Sequence, residues 1–185
     1  MVRRYTDQPV PAETVRDLLE LARRAPSAGH TQGWRFLVLS TPAARERFWA
    51  VTAETESDSW LSGMRTAPVL IVCFAVKDDY LDRYAEPDKN WVDRSEARWP
   101  VPYWDVDTGM AALILLLGAV DRGLGGCFFG VPAPRVDPLR AAFRVPDAYR
   151  PVGVVSLGYP APDRRSPSLR RGRRPFDEVV AYQSF

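Results

Sequence analysis

The sequence predicts an α+β domain in which helices cover a sheet, and three observations support this prediction. The first is an amphipathic helical pattern near the N-terminus, and the second is a set of apolar runs typical of buried strands. The third is a helical segment that is apolar on nearly every face. At 185 residues the chain is long enough for one domain with its own core, and neither a repeat nor a linker divides residues 1–185.

The first helix is predicted in AETVRDLLELARRAP, where apolar residues recur with helical spacing. The apolar face consists of Val15, Leu18, Leu19 and Ala22. Pro26 ends the pattern, and the small polar residues of SAGHTQG then predict a loop.

Four strands and two shorter helices are predicted from the apolar runs in the rest of the chain and from the breaks between them. WRFLVLS is the first strand, and a helix from about Pro42 to Thr52 follows it. The unbroken apolar run APVLIVCFAV is typical of a strand that is covered on both faces. GGCFFGV and RPVGVVSLGYP predict the last two strands, with a short helix, PRVDPLRAAFRV, between them.

Residues 77–104 have no sustained period and mix charged with aromatic side chains. Connections of this length are commonly lids or binding loops. Four aromatic residues of this segment are candidates to stack on a planar substrate, or alternatively to pack the lid onto the core. They are Trp91, Trp99, Tyr103 and Trp104.

The segment DTGMAALILLLGAVDRGLG predicts the central helix. We expect it to begin at Asp107 or Thr108 as the N-cap and to end at Gly123 or Gly125. Because residues 109–120 are apolar on nearly every side, the sheet or a partner subunit must wrap this helix. The apolar stretch is too short to cross a bilayer.

The composition excludes several functional classes. A net charge of +2 does not call for nucleic acid or a membrane as partner. Two cysteines in apolar runs (Cys73 and Cys127) and the one histidine, His30, are too few for a disulfide framework or a histidine-rich metal site. We expect a soluble cytoplasmic protein with reduced thiols and no secretory signal.

Four segments are candidates for binding chemistry, and each also has an ordinary structural explanation. Arg3 and Arg4 are otherwise a solvated chain end. The segment 25–34, which includes the loop 26–32, is otherwise a helix–strand connection. GLGG at 123–126 lacks the spacing of a dinucleotide-binding fingerprint and is otherwise a helix cap. The arginines of LRRGRRP, at 169–175, suit phosphate recognition and are otherwise a disordered basic tail.

Taken in order, these segments resemble the nitroreductase family of FMN enzymes. APSAGHTQGW resembles the family's APS-x-x-N-x-Q-x-W segment, and DTGMAALILLLGAVDRGLGG resembles its central dimer helix and Gly-Leu-Gly turn. GYP followed by RRGRRPFDEVV resembles its last core strand and phosphate-binding extension. The resemblance covers nearly the whole chain.

The resemblance implies a three-layer fold with a central, mainly antiparallel sheet flanked by helices. It also implies an intertwined homodimer that exchanges the C-terminal extension, residues 163–185, and holds FMN at the interface. The cofactor-binding residues that it implies are Arg3, Arg4, Pro26, Ser27, Ala28, His30, Gln32, Gly125, Gly126, Arg171, Arg173 and Arg174.

Three positions depart from the family pattern. Met1 stands where the family has the serine of an Arg-x-Ser phosphate anchor, His30 stands where the family commonly has asparagine, and Gly33 replaces a frequent proline. An imidazole offers only one of the two hydrogen-bonding roles of an amide at a time.

The implied activity is ping-pong transfer of an electron pair from NAD(P)H, through FMN, to an electron-poor small molecule. The flavin carries the chemistry, so no catalytic acid or nucleophile is expected of the protein. A reductive dehalogenase, a flavin-cleaving enzyme or a natural-product dehydrogenase of the same fold is an alternative. A non-catalytic FMN-binding protein is another, and nucleic-acid binding by the six arginines between Arg164 and Arg174 is a weaker one.

Overall fold

A four-stranded antiparallel sheet lies at the centre of the fold, in a computed structural model that describes residues 1–54, 58–164 and 166–184. The strand order is β1-β2-β4-β3, and every neighbouring pair is antiparallel. The strands are β1 (Trp34–Leu39), β2 (Val69–Val76), β3 (Gly125–Phe129) and β4 (Tyr149–Gly158).

Helices cover both faces of this sheet. The helices of the described residues are α1 (Ala12–Ala22), α2 (Pro42–Thr52), α3 (Ser59–Met64), α4 (Lys77–Ala85), α5 (Tyr103–Asp121), α6 (Val136–Phe143) and α7 (Phe176–Val179). Helix α7 has no buried residue and does not cover the sheet. Short 3₁₀ turns occur at Ala28–His30, Glu96–Arg98, Ala133–Arg135 and Pro167–Arg171.

The alternation of side chains along β2 produces two hydrophobic cores. Ile71 and Cys73 point to the core that β2 shares with α1 and α5. Leu70 and Val72 point to the opposite core, which α2, α3 and α6 complete. All eight residues of β2 are buried, as its unbroken apolar run predicts. The predicted three-layer α+β fold is therefore confirmed.

The predicted start of the central helix is wrong. Helix α5 begins at Tyr103, so Asp107 and Thr108 lie inside it and are buried. Thr108 donates its hydroxyl to the Trp104 carbonyl, and the Asp107 carboxylate bonds to other elements rather than capping its own helix. The predicted end is correct: Gly123 has a left-handed φ of 71°, and the Leu124 N–H donates to the Ala119 carbonyl.

Helix α5 is also longer than the apolar stretch 109–120 implied. Its 19 residues are long and apolar enough to span a membrane by length and composition alone, a test that a core helix also passes. One side of α5 packs on α1 and the sheet through Ala111, Leu115 and Ala119. The helix is therefore part of the core of this domain.

The segment 77–104 is more regular than its sequence suggests. It begins with helix α4, because Tyr80 and Leu81 are buried and Asp78 and Asp79 lie in the first turn, where carboxylates stabilise a helix. Irregular chain is confined to residues 86–102, apart from one 3₁₀ turn. Helix α3 was not predicted; Asp58 caps it by accepting from the Leu61 N–H.

Candidate functional site

The two ends of the sheet carry different groups of predicted site residues. Trp34 at the start of β1 pairs with Ala75 at the end of β2, so the loop 26–32 lies at this end, called here the loop end. Gly125 pairs with Gly158 at the end of β4, which places Gly125 and Gly126 at the opposite end, the glycine end. Strand β2 has 8 residues, and its length separates the two ends by about 23 Å.

At the glycine end the N-terminal segment lies directly on the Gly125–Gly126 backbone. The Val2 N–H donates to the Gly126 carbonyl at 3.0 Å, and the Ala161 N–H donates to the Arg4 carbonyl at 3.0 Å. A Cβ on Gly125 would lie 2.4 Å from Val2 Cγ2, so only glycine allows this approach. The structure thus brings Arg3 and Arg4 together with the two glycines.

Beside these residues lies a basic cleft of about 800 Å³. The Arg3 guanidinium faces Asp163 at 3.7 Å and donates to the Arg164 carbonyl at 3.3 Å. Arg4 also lines the cleft, and its guanidinium forms no ion pair with any residue of 1–54, 58–164 or 166–184. Further lining residues, none of which was predicted to bind the cofactor, are Ser59, Trp60, Pro162, Asp163, Arg164, Ser166 and Pro167.

At the loop end the segment 26–32 is held in a strained backbone conformation. His30 and Gln32 have left-handed φ values of 56° and 57°, and both side chains are exposed. Non-glycine residues adopt this region at an energetic cost and cluster at ligand sites. Within the loop, Ser27 Oγ accepts from the Gln32 N–H at 3.0 Å. Ser27 and Ala28 are half-buried, whereas Pro26 is exposed.

Three side chains from outside the loop fix its other face. Asp107 Oδ2 accepts two hydrogen bonds, from the Ala28 N–H and from the Tyr80 hydroxyl, each at 2.8 Å. Arg83 Nε donates to the Gly29 carbonyl at 2.9 Å. Burial, followed by the bond to Asp107, raises the pKa of the Tyr80 hydroxyl, so Tyr80 is a neutral donor here. Neither Asp107 nor Tyr80 was predicted, because their partners are distant in sequence.

The four predicted substrate aromatics form one cluster at the loop end. The Trp99 ring lies at its centre, 5.5 Å from Trp91, 5.8 Å from Trp104 and 6.0 Å from Tyr103. The missed residues Tyr80 and Tyr84 also contact Trp99, at 6.0 and 4.5 Å. Trp104 is buried, whereas Tyr103 is 40% exposed. Ala28 packs against the same cluster, so the structure brings the loop and these aromatics together.

The structure does not bring the C-terminal arginines to either group. Arg171, Arg173 and Arg174 are exposed, and none of them lines the basic cleft among the described residues. Arg165 of the six-arginine run and Phe185 lie outside the described residues. The apolar side chains of the extension are uncovered within the described chain: Phe176 is 61%, Val179 53% and Tyr182 73% exposed.

The outer face of helix α5 is an exposed apolar stripe. Its members recur at alternating three- and four-residue steps along the helix. They are Val106, Met110, Leu113, Leu117 and Val120, of which Met110 is half-buried and the other four are exposed. Leu113 is 53%, Leu117 61% and Val120 68% exposed. Contiguous exposed apolar surface of this kind marks an interaction site.

These features define a three-layer α+β protein whose candidate binding residues are divided between two ends of one sheet. The model of the nitroreductase family matches residues 1–159. The chain therefore belongs to the nitroreductase family, whose members are oxidoreductases.

Known proteins are similar over nearly the whole chain. An NADH dehydrogenase of Thermus thermophilus is 31% identical and is aligned over 98% of this chain and 91% of its own. An iodotyrosine deiodinase of Haliscomenobacter hydrossis is 26% identical, over 92% of this chain and 79% of its own. The solved structure of an FMN-dependent nitroreductase of Clostridium difficile R20291 has a TM-score of 0.70 at 22% identity, covering 100% of this chain and 94% of that one.

Proposed function

We propose that this protein is an FMN-dependent oxidoreductase of nitroreductase type. It transfers an electron pair from NADH or NADPH to an electron-poor small molecule, such as a nitroaromatic compound or a quinone. The observation that carries the proposal is the division of the candidate cofactor residues. Arg3, Arg4 and the two glycines lie about 23 Å from the loop 26–32, and each group suits a different part of FMN.

Two copies of the chain are needed to bring these groups together. In an antiparallel pair, the loop end of one copy meets the glycine end of the other, so a two-fold dimer forms two identical sites. The exposed stripe of α5 offers the contact surface for such a pair, since its spacing is that of helices packed along a shared seam. The uncovered apolar residues of the C-terminal extension are proposed to lie on the partner in the same dimer.

The residues present fit FMN. Guanidinium groups suit a phosphate, and the basic cleft holds Arg3 and Arg4, with Arg171, Arg173 and Arg174 proposed to reach the phosphate from the extension. At Gly125 and Gly126 the absence of side chains lets the N-terminal segment lie on the backbone, and this contact holds Arg3 and Arg4 beside the cleft. In the loop, Pro26 is exposed, while the Ser27, His30 and Gln32 side chains offer hydrogen-bonding groups.

When bound, FMN supplies the group that accepts and returns the electron pair. The chain would position it: the arginines would hold the phosphate, the loop 26–32 would pack on the ring, and Gly125 and Gly126 would hold the N-terminal segment, with Arg3 and Arg4, beside the site. The aromatic cluster around Trp99 excludes water beside the loop and offers Trp91 and Tyr103 for stacking on a planar acceptor. We place the protein in the cytoplasm, where reduced nicotinamide is available and where buried thiols such as Cys73 and Cys127 stay reduced.

The test is a visible-absorbance titration of the purified protein with FMN, followed by anaerobic addition of NADH or NADPH. We expect a bound flavin spectrum that bleaches with the nicotinamide and recovers when a quinone or nitroaromatic compound is added. A protein that binds FMN but is not bleached would be a flavin-binding protein without this activity. A protein that does not bind FMN at saturating concentration would contradict the proposal.

Reductive dehalogenation is the second candidate function, because an iodotyrosine deiodinase is 26% identical over 92% of this chain. The aromatic cluster at the loop end would then receive a halogenated ring. Release of iodide from an iodophenol by the reduced protein would support this activity, and reduction of quinones without any iodide release would exclude it. Oxygen-dependent loss of the reduced flavin's own absorbance spectrum would instead indicate flavin cleavage.

A further inference from the structure

A buried carboxylate that the proposed chemistry does not use lies beneath the loop 26–32. Asp107 is 1% exposed and sits on the central helix α5, four residues after its first residue. Such a group is costly to bury unless its hydrogen bonds are made. Its bonds are therefore informative about why an aspartate stands at this position.

Both hydrogen bonds of Asp107 reach the same oxygen. Oδ2 accepts from the Ala28 N–H and from the Tyr80 hydroxyl, each at 2.8 Å. The other oxygen, Oδ1, is buried without a partner among the residues that the structure describes. One atom of the central helix thus connects the loop 26–32 to helix α4.

One partner of Asp107, Ala28, lies in the loop 26–32, and the other, Tyr80, lies on helix α4 and in the aromatic cluster. Ala28 begins the 3₁₀ turn Ala28–His30, which ends at the strained residue His30, and the strained residue Gln32 follows two residues later. Tyr80 is fully buried, contacts Trp99 and Trp104, and packs so closely on the loop that a Cβ on Gly33 would lie 2.3 Å from its ring. A movement of the Asp107 side chain would therefore displace both the loop and the aromatic cluster.

We propose that Asp107 is a positioning residue, which holds the loop 26–32 in the conformation that binds FMN and locks it to helix α4. This inference rests on the proposed function. Asp107 acts through the Ala28 N–H and the Tyr80 hydroxyl, without contact to the flavin. The strained φ values of His30 and Gln32 are then maintained by this anchor and by the Arg83 bond to the Gly29 carbonyl.

The geometry makes a specific prediction for two substitutions. Asparagine keeps one carbonyl oxygen, which can accept both bonds that Oδ2 accepts now, so Asp107→Asn retains the loop conformation. Its NH₂ group takes the place of the unpartnered Oδ1, so we expect this variant to keep FMN binding. Asp107→Ala removes both bonds, and we expect its Kd for FMN to rise by about tenfold or more. Tyr80→Phe removes one bond and should give an intermediate Kd.

Thr108→Val is the matched control. Thr108 is the next residue of α5, is fully buried, and donates only to the Trp104 carbonyl within its own helix. Its loss removes a buried polar group from the same helix without touching the loop. We expect the Kd for FMN of Thr108→Val to stay within about threefold of the parent value.

The experiment combines FMN titration with amide hydrogen exchange of the Ala28 N–H in the FMN-free protein. We expect that amide to be protected in the parent chain and in Asp107→Asn, and to exchange rapidly in Asp107→Ala. Equal protection in Asp107→Ala would overturn the inference, as would an Asn variant that binds FMN as weakly as the Ala variant. Because the exchange measurement needs no cofactor, a parent protein that fails to bind FMN would refute the proposed function without deciding the role of Asp107.

Discussion

Shortening Leu117 to alanine is expected to weaken the association of two copies of this chain. Leu117 is 61% exposed and is the fourth of the five residues of the α5 stripe, so the proposed dimer buries most of its exposed side chain. Three carbon atoms are removed, each contributing about 0.8 kcal/mol on burial. Scaled by the 61% exposure, the loss is about 1.5 kcal/mol for each copy.

Because a two-fold interface contains each substitution twice, the dimer loses about 3 kcal/mol. That corresponds to a dissociation constant raised about 150-fold. Sedimentation velocity over a dilution series measures the change. Val92→Ala is the control, since Val92 is 76% exposed and lies outside helix α5. If Leu117→Ala and Val92→Ala dimerise equally well, the stripe is not the interface.

Cys73 in strand β2, Gly125 at the glycine end and Trp91 in the aromatic cluster each give a testable change. Burial raises the pKa of the Cys73 thiol from 9.0 to about 12, so the unfolded chain ionises first and this thiol lowers stability by about 1.4 kcal/mol per pH unit above pH 9. Burial also raises the pKa values of Cys127, Tyr5 and Tyr80. The difference in stability between the parent chain and Cys73→Ala, measured by chemical denaturation at pH 8 to 11, should therefore change with this slope, and a difference that is independent of pH would refute it. Gly125→Ala places a Cβ 2.4 Å from Val2 Cγ2, so we expect the free energy of unfolding to fall by about 1–3 kcal/mol and FMN binding to weaken. Gly130→Ala is the control, because a Cβ there meets no atom within 4 Å. Equal denaturation midpoints and equal FMN affinities of the two variants would refute this prediction. Trp91→Ala should raise the KM for a planar acceptor several-fold and leave the Kd for FMN unchanged, and an unchanged KM across a panel of acceptors would exclude stacking by Trp91.

The fold was largely predictable because its elements are strongly patterned. Strand β2 is apolar at every position, and Pro42 and Thr52 are the observed bounds of α2. The central helix was predicted too short because Asp107 and Thr108 are good capping residues by type. Their side chains instead serve long-range and intrahelical bonds, and a single sequence does not show where such partners lie.

The candidate site was predictable in its parts but not in its arrangement. The sequence directly shows the guanidinium of Arg3, the missing side chain of Gly125 and the hydrogen-bonding groups of the loop 26–32. Their separation depends on strand register, which places the start of β1 and the start of β3 at opposite sheet ends. The contacts of Trp60 and Tyr80 arise from packing between distant segments, so sequence spacing offers no signal for either residue.

A complementation experiment tests most directly whether two copies build each FMN site. One variant carries Arg3→Ala and Arg4→Ala, and the other carries His30→Ala and Gln32→Ala; each alone is expected to bind FMN poorly. After the two are unfolded together and refolded as an equal mixture, mixed dimers contain one intact site, and FMN should occupy about a quarter of all sites. No recovery on mixing, with each variant folded and dimeric, would contradict a site shared between subunits.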